Sequence, residues 1–195
     1  MKSLNVALCL LSATASLAAP SPQLSSRQVF EYLGVAAPSV VKIHNISTNL
    51  NTFSDHTQTV RNGSLETSTL YEIPIPAAAA GRTCRLVIRA SNVGSGDVVQ
   101  GTQALDVFHN TFTDLADLDS GNLRGEEVAR VVFNASTGNY DFDTTAFPPT
   151  VDGFPCPSGN YSLETVAVGD FDVNIFGQNF EDAHAPSEGL GIGYF

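Results

Sequence analysis

The sequence predicts a mostly β protein: a single-domain antiparallel β-sandwich, of jelly-roll or immunoglobulin-like type, with one disulfide. Short segments rich in β-branched and aromatic residues recur along the chain with turn residues between them, which is typical of sandwiches. Residues 84–90 alternate with the period of two that a half-buried strand requires. No long segment has the helical period.

The first strands are predicted before residue 76. Residues 39–48 are rich in β-branched side chains, which favours a strand. Asn62-Gly63 separates residues 57–60 from residues 65–71, and this dipeptide is the strongest short signal for a hairpin. The second arm is expected to continue to Ile75, where Pro76 follows.

The segment 84–90 carries the clearest strand pattern. Cys84, Leu86 and Ile88 alternate with Arg85 and Arg89, so one face is predicted to be buried and the other exposed. The pattern directs Cys84 towards the core.

The remaining elements follow from turn residues and local composition. We expect a strand over 103–112, a long acidic loop over 114–127, a hairpin joining 128–133 to 140–142, a proline-rich connection, and two strands over 161–168 and 171–176 joined at Gly169-Asp170.

The N-terminal residues predict export. Lys2, an apolar run and small residues at Ser16 and Ala18 are typical of a signal peptide cleaved after Ala18, and the apolar run is too short to span a bilayer. We therefore expect a signal peptide over 1–18, a flexible leader or pro-segment over 19–37 with a short helix or irregular segment after residue 28, and a β-sandwich domain over 38–195. Removing the first 18 of 195 residues leaves 177, enough for one domain.

The charge of the chain limits its partners. Lys2 leaves with the signal peptide, so 8 basic and 20 acidic residues remain, a net charge of −12. Such a surface repels nucleic acid and anionic membranes. We expect neither nucleic-acid binding nor membrane insertion, and a secreted, extracellular or cell-wall location.

Cysteine usage agrees with export. Cys9 lies in the signal peptide, which leaves Cys84 and Cys156 as a pair in an oxidising compartment. A disulfide between them would stabilise the fold by about 4 kcal/mol in the chain-entropy model. The alternative is two buried free thiols. Four glycosylation sequons also fit an exported glycoprotein: Asn45, Asn62, Asn134 and Asn160.

The second half of the chain resembles a known family. Gly81-Arg-Thr-Cys84, Phe154-Pro-Cys156-Pro-Ser-Gly159 and the segment from Tyr161 through Val168-Gly-Asp170 to Phe176 resemble the fungal But-two C-terminal domain family, named for binding a ubiquitin-like-pathway protein. The resemblance covers residues 69–176. It implies a small secreted β protein with cysteines at these two positions, and it brings no established catalytic residues. The chain lacks the tryptophan often found between the cysteine segments.

The sequence predicts no catalytic residue, metal site or cofactor. The motifs Gly-x-Ser-x-Gly and His-Glu-x-x-His are absent. The histidines have no ligand spacing and are interpreted as solvated loop or strand-edge residues: His44, His56, His109 and His184. The acids of the predicted loop are interpreted as solvated rather than as a calcium site: Asp114, Asp117, Asp119, Glu126 and Glu127.

Two acid pairs and one aromatic pair remain as alternatives. Asp141/Asp143 and Asp170/Asp172 each share a strand face, where two carboxylates are able to act on a glycoside, but a hydrated sheet edge is favoured. Tyr140 and Phe142 are expected in the core rather than on a sugar platform. The leading hypothesis is a non-enzymatic interaction protein with an unknown protein or glycan partner. The alternative is a glycan-active hydrolase or carbohydrate-binding module.

Overall fold

Antiparallel strands make up nearly all the regular structure of the computed structural model, which describes residues 32–90, 96–145, 153–180 and 187–195. A 3₁₀ turn at Ala77–Ala79 is the one helical element in these ranges. The strands are β1 (Gly34–Ala36), β2 (Val40–Asn45), β3 (Leu50–Phe53), β4 (His56–Asn62), β5 (Leu65–Ile75), β6 (Thr83–Arg89), β7 (Val98–Gln100), β8 (Ala104–Asn110), β9 (Arg124–Asn134), β10 (Asn139–Phe142), β11 (Phe154–Pro155), β12 (Gly159–Ala167), β13 (Phe171–Gly177) and β14 (Gly189–Tyr194). Within the described ranges no helix is long and apolar enough to cross a membrane.

All the strands belong to one connected, curled sheet. Its order is β1-β14-β6-β10-β9-β8-β12-β5-β4-β13-β7, while β11 pairs with β6 and β2 joins β3 to β5. The predicted hairpin at Asn62-Gly63 is confirmed, with Asn62 opposite Leu65 and Gly63 at a φ of 62°. That φ favours glycine in the turn.

The sheet divides along β5. The first residues of β5 pair with β4 as far as Thr67, whereas Thr69–Ile75 pairs with β12. Threonine side chains take over the hydrogen bonds where β4 leaves β5: the Gln58 amide donates to Thr69 Oγ1 (3.0 Å), and Thr67 Oγ1 donates to the Gln58 carbonyl (2.8 Å). The buried backbone of β4 therefore stays hydrogen-bonded as it changes partner.

The inner face of the curled sheet is apolar. Its fully buried side chains include Tyr71 and Ile73 from β5, Leu105 and Val107 from β8, and Leu163 from β12. The Tyr71 hydroxyl lies 2.7 Å from Thr57 Oγ1, and burial raises the pKa of Tyr71 to about 12. The phenol therefore stays neutral inside the core.

The outer face of β2, β5, β8 and β12 is covered by residues 111–123, which we call the covering loop. Phe112 and Leu115 of this loop pack on Leu70. The Leu115 amide donates to Glu72 Oε2 (2.7 Å), and Ser162 Oγ donates to the Phe112 carbonyl (2.8 Å). This part of the sheet is therefore buried on both faces.

The disulfide prediction is confirmed. Cys84 and Cys156 are bonded, with 4.8 Å between their Cα atoms and 72 positions between them in sequence. The mostly β antiparallel class is confirmed as well. The jelly-roll or immunoglobulin-like arrangement stays a prediction, because every strand joins one hydrogen-bonded network.

Several elements differ from the sequence-based expectations. The acidic loop ends earlier than predicted, because residues 124–127 already belong to β9 and pair with β8. Strands β3, β7 and β14 were not anticipated, and β1 lies inside the expected leader 19–37, where it pairs with β14. The strands on either side of Gly169-Asp170 do form, but they pair with different neighbours, β12 with β5 and β8, and β13 with β4 and β7.

Candidate functional site

A cavity of about 200 Å³ opens at one end of the inner face. Five strands that are distant in sequence supply its walls: β6, β9, β11, β12 and β14. The lining residues are Leu86, Glu126, Val128, Phe154, Tyr161, Leu163 and Ile192. The lining is thus apolar, apart from one carboxylate and one phenol.

The walls follow from strand periodicity. Alternate residues of a strand share a face, so Tyr161 and Leu163 of β12 point the same way, as do Glu126 and Val128 of β9. Leu86 and Ile192 are direct cross-strand neighbours in the β6–β14 pair, which places their side chains together.

The disulfide positions one wall of the cavity. Strand β11 pairs with β6 so that Phe154 lies opposite Cys84, and Cys156 is bonded to Cys84 two residues later. Phe154 is therefore held beside the cavity by a covalent link and by a short strand. The cysteine pair found in the sequence supports the site without lining it.

An aromatic stack forms a second wall. The Tyr161 ring lies 4.9 Å from the His109 ring and 5.5 Å from the Phe154 ring, with interplanar angles of 26° and 29°. Burial, with a further contribution from the nearby Glu126 carboxylate, raises the pKa of Tyr161. Glu126 itself is exposed, so the tyrosine and the carboxylate meet near the opening.

Glu127, a second ionisable group, lies on the opposite face of β9, close to Asp106 and Arg130. Arg130 donates to both carboxylate oxygens of Asp106, at 2.6 and 2.8 Å. Desolvation, together with the charge and hydrogen bonding of Asp106, raises the pKa of Glu127 to about 7.

The covering loop closes over a layer of buried polar side chains. Arg124 donates to both oxygens of Glu164, at 2.8 and 2.7 Å, and Asn122 donates to the same carboxylate at 3.1 Å. Burial opposes ionisation of Glu164, but these hydrogen bonds and the Arg124 charge outweigh it and lower the pKa of Glu164. Lys42 Nζ donates to the carbonyls of Ala116 (2.7 Å) and Leu118 (3.1 Å). These buried charges are paired within the protein, as burial requires.

The structure describes three of the four histidines, and their surroundings differ from one another. His44 is buried rather than solvated, and its Nδ1 lies 2.6 Å from Asn51 Oδ1. His56 is partly exposed, with Nδ1 2.7 Å from Asp55 Oδ1. His109 stacks on Tyr161, and His184 lies outside the described residues.

The predicted acidic loop is divided between two structures. Asp114, Asp117 and Asp119 lie in the covering loop, whereas Glu126 and Glu127 point to opposite faces of β9. No group of three histidine, cysteine or acidic residues in the described ranges is placed to hold a metal ion.

Members of both acid pairs take part in hydrogen bonds within the chain. Asp172 is fully buried and accepts hydrogen bonds from the Thr102 amide and hydroxyl, from the Gln103 amide (3.1 Å) and from the Gly169 amide (2.6 Å). The prediction of a hydrated pair is therefore wrong for Asp172, whereas Asp170 is exposed. Asp141 accepts from Asn134 Nδ2 at 2.8 Å.

The aromatic pair and the sequons also have defined positions. Tyr140 is buried against Phe133 and Phe176 and donates to Asn174 Oδ1 at 2.7 Å, so its predicted core role is confirmed. Among the sequons, Asn62 is exposed at the hairpin turn and Asn45 caps the β2–β3 turn. Asn134 and Asn160 each donate their side-chain nitrogen, the atom a glycan would occupy, to Asp141 and Glu72 respectively.

Comparison with family models, curated proteins and solved structures finds no match to this chain. The resemblance to the But-two C-terminal domain family therefore stays a prediction, and the site is interpreted from its own geometry.

Proposed function

We propose that this chain is a secreted, non-enzymatic extracellular or cell-wall-associated interaction protein. The observation that carries the proposal is the composition of the cavity. It offers an apolar surface and one carboxylate, which suits binding, and its lining among the described residues includes no second acid and no cysteine thiol to share in a reaction.

The state of the buried charged groups supports the same function. Glu164, Lys42 and Asp172 are saturated by hydrogen bonds from this chain, so none is available to a substrate. Tyr161 lines the cavity and has a raised pKa, so its phenol stays neutral and is not an activated base. The signal-peptide pattern, the disulfide and the exposed Asn62 sequon support an extracellular location.

One observation favours the glycan-active alternative. The raised pKa of Glu127 beside Asp106 resembles the protonated acid of a hydrolase. The Arg130 bridge to Asp106 opposes this role, because it occupies both oxygens of the partner carboxylate.

Retention and release assays test the proposal. Purified mature protein is incubated with fractionated cell-wall polysaccharides and with secreted proteins, and bound protein and released sugars are both measured. Retention without release is expected. Sugar release that disappears in Glu127→Gln but persists in the matched loop variant Asp117→Asn would establish the hydrolase instead.

A further inference from the structure

We infer that the cavity binds a small organic cation: one ring or branched aliphatic group that carries a positive charge one or two carbons away. This inference rests on the proposed function, because it names the ligand chemistry of that binding protein. It is carried by the juxtaposition of apolar walls from Leu86, Leu163 and Ile192 with the Glu126 carboxylate at the opening.

The volume limits the size of the apolar group. An apolar protein cavity of about 150 Å³ stays free of water and binds benzene. The cavity here, at about 200 Å³, therefore holds one six-membered ring or a short branched chain, and it is too small for an oligosaccharide. Filling it would remove apolar surface of Leu86 and Leu163 from water, which favours binding.

The charge at the opening selects the rest of the ligand. Among the residues that the structure describes, Glu126 is the one carboxylate in the lining of the cavity, and that lining contains no lysine or arginine. The nearest arginines of β9 are engaged elsewhere, Arg124 with Glu164 and Arg130 with Asp106. The chain also has 20 acidic against 9 basic residues, so its overall field favours cations.

The aromatic stack fixes where the charge would lie. Tyr161 stacks on both His109 and Phe154, so its ring is already engaged by two aromatic neighbours. A cation is therefore held by the Glu126 carboxylate rather than over the Tyr161 ring. The phenol, kept neutral by its raised pKa, is a hydrogen-bond partner beside it.

Three probes of equal ring size and different charge test the inference: phenethylammonium, benzyl alcohol and phenylacetate. Calorimetry and ligand-observed NMR with the full mature protein are expected to give millimolar binding for the cation, since probes of this size bind weakly. The cation is expected to bind about five- to tenfold more tightly than the anion, and Glu126→Gln should reduce that ratio to about twofold or less. Asp117→Asn, which removes an exposed loop acid, should leave the ratio unchanged.

Substitutions at Val128 test whether binding occurs inside the cavity. Val128→Phe fills the space and should weaken binding of the cation by about tenfold or more. Val132→Phe makes the same change at an exposed position of β9 and should leave binding unaffected. Val128→Ala enlarges the cavity and should admit a naphthyl ammonium that the parent protein excludes. Circular dichroism and thermal unfolding identify any variant that fails to fold.

The outcomes separate the two proposals. Absence of probe binding, or equal binding of all three probes, would overturn this inference while leaving retention on extracellular material unaffected. Cation binding that follows the predicted variant pattern supports this inference even if no extracellular material retains the protein. Failure of retention would count against the proposed function alone.

Discussion

The two faces of the β2–β5–β12–β8 region are both buried, yet the inner face is mainly apolar whereas the outer face combines apolar contacts with buried charged side chains. The inner face holds Leu105, Val107 and Leu163, which contact other apolar side chains. The outer face holds Lys42 and Glu164 beneath the covering loop, and each is almost completely buried. Burial alone does not require an apolar residue; it requires that most polar atoms have a partner.

The comparison also separates two sources of stability. The inner face is stabilised by the area it removes from water, which is insensitive to pH. The outer face is stabilised by specific pairs, and it loses stability when one member is removed or protonated. The following predictions test this difference, from the largest expected effect to the smallest.

Truncation of the inner face should have the largest effect. Leu105 is fully buried, so Leu105→Ala should lower the free energy of unfolding by about 3–4 kcal/mol through lost transfer energy and a new cavity. Urea unfolding at pH 7 and pH 5 measures it, and the loss should be the same at both values. Val132→Ala, at an exposed position of β9, should change stability by less than about 0.5 kcal/mol. A loss at Leu105 that depends on pH would contradict the apolar account.

Removal of Arg124 should be the next largest effect. Arg124→Ala leaves the buried Glu164 carboxylate without its charged partner, which should destabilise the fold by about 2–3 kcal/mol, less than a fully buried pair because Arg124 is 31% exposed. The control is Arg61→Ala, which breaks the more exposed pair with Glu66 and should lower stability by less than about 1 kcal/mol. Equal losses of stability in the two variants would show that burial does not increase the contribution of the Arg124–Glu164 pair.

The same pair predicts a pH dependence. The pKa of Glu164 is lowered in the folded protein, because the Arg124 and Asn122 hydrogen bonds outweigh the opposing effect of burial. An acid with a lowered folded pKa stabilises the fold above its unfolded value of about 4.5 and loses that contribution as pH falls further. The parent protein should therefore lose stability between pH 5 and pH 3 more steeply than Arg124→Ala. Parallel stability curves for the two proteins would refute this assignment.

The inner face was largely predictable from the sequence, and the outer face was not. The alternation of Cys84, Leu86 and Ile88 with Arg85 predicted the strand and its orientation, because the period of two is a local property. The disulfide was predicted from the cysteine count that remains after the signal peptide. Nothing local distinguishes Glu164 from a solvated strand residue, since its partner Arg124 is 40 positions away. A pattern of polar residues on a strand predicts exposure unless a distant loop covers it.

The cavity was missed for a similar reason. Its walls combine residues as far apart as Leu86 and Ile192, which only the β6–β14 pairing brings together. Glu126 was assigned to a solvated loop, because the acids at 114, 117 and 119 obscured the start of β9. Strand β14 was missed because its glycines, at 189, 191 and 193, are disfavoured in strands. Close approach explains one of them, since a Cβ at Gly193 would lie 2.3 Å from the Tyr32 ring.

Replacement of Lys42 should have an intermediate effect. Lys42→Met keeps the buried stem but removes the ammonium that donates to the Ala116 and Leu118 carbonyls of the covering loop. The variant should lose about 1–2 kcal/mol, as expected for carbonyls left without a donor. Hydrogen exchange should also become faster in the covering loop than in β8. Asp119→Ala is the control, because that side chain is 92% exposed and should contribute less than about 0.5 kcal/mol. Unchanged exchange in Lys42→Met would mean that the apolar contacts of Phe112 and Leu115 alone hold the loop.

Glu127 gives the smallest effect, and its sign is opposite to that of Glu164. Both acids lie on the outer face. Glu127, however, lies outside the part that the covering loop buries, and its neighbour is the Asp106 carboxylate rather than a cation of its own. Desolvation and the Asp106 charge raise its pKa to about 7. An acid with a raised folded pKa favours the fold below its unfolded value of about 4.5, and that contribution is lost as pH rises through 7.

Glu127→Gln removes this ionisation and should therefore stabilise the protein at pH 8 relative to the parent, by about 0.5 kcal/mol after allowance for solvent screening. At pH 3 the two proteins should have the same stability, because the parent carboxyl is then protonated in both the folded and the unfolded protein. Thermal unfolding at the two pH values measures the difference, and Glu66→Gln, which removes the partner of Arg61, should destabilise slightly at pH 8 instead. Stabilisation of Glu127→Gln at pH 3 as well as at pH 8 would mean that packing, rather than the repulsion between Glu127 and Asp106, accounts for the gain. Opposite pH responses at Glu127 and Glu164 would show that on one face of one sheet the paired partner decides whether a carboxylate stabilises the fold.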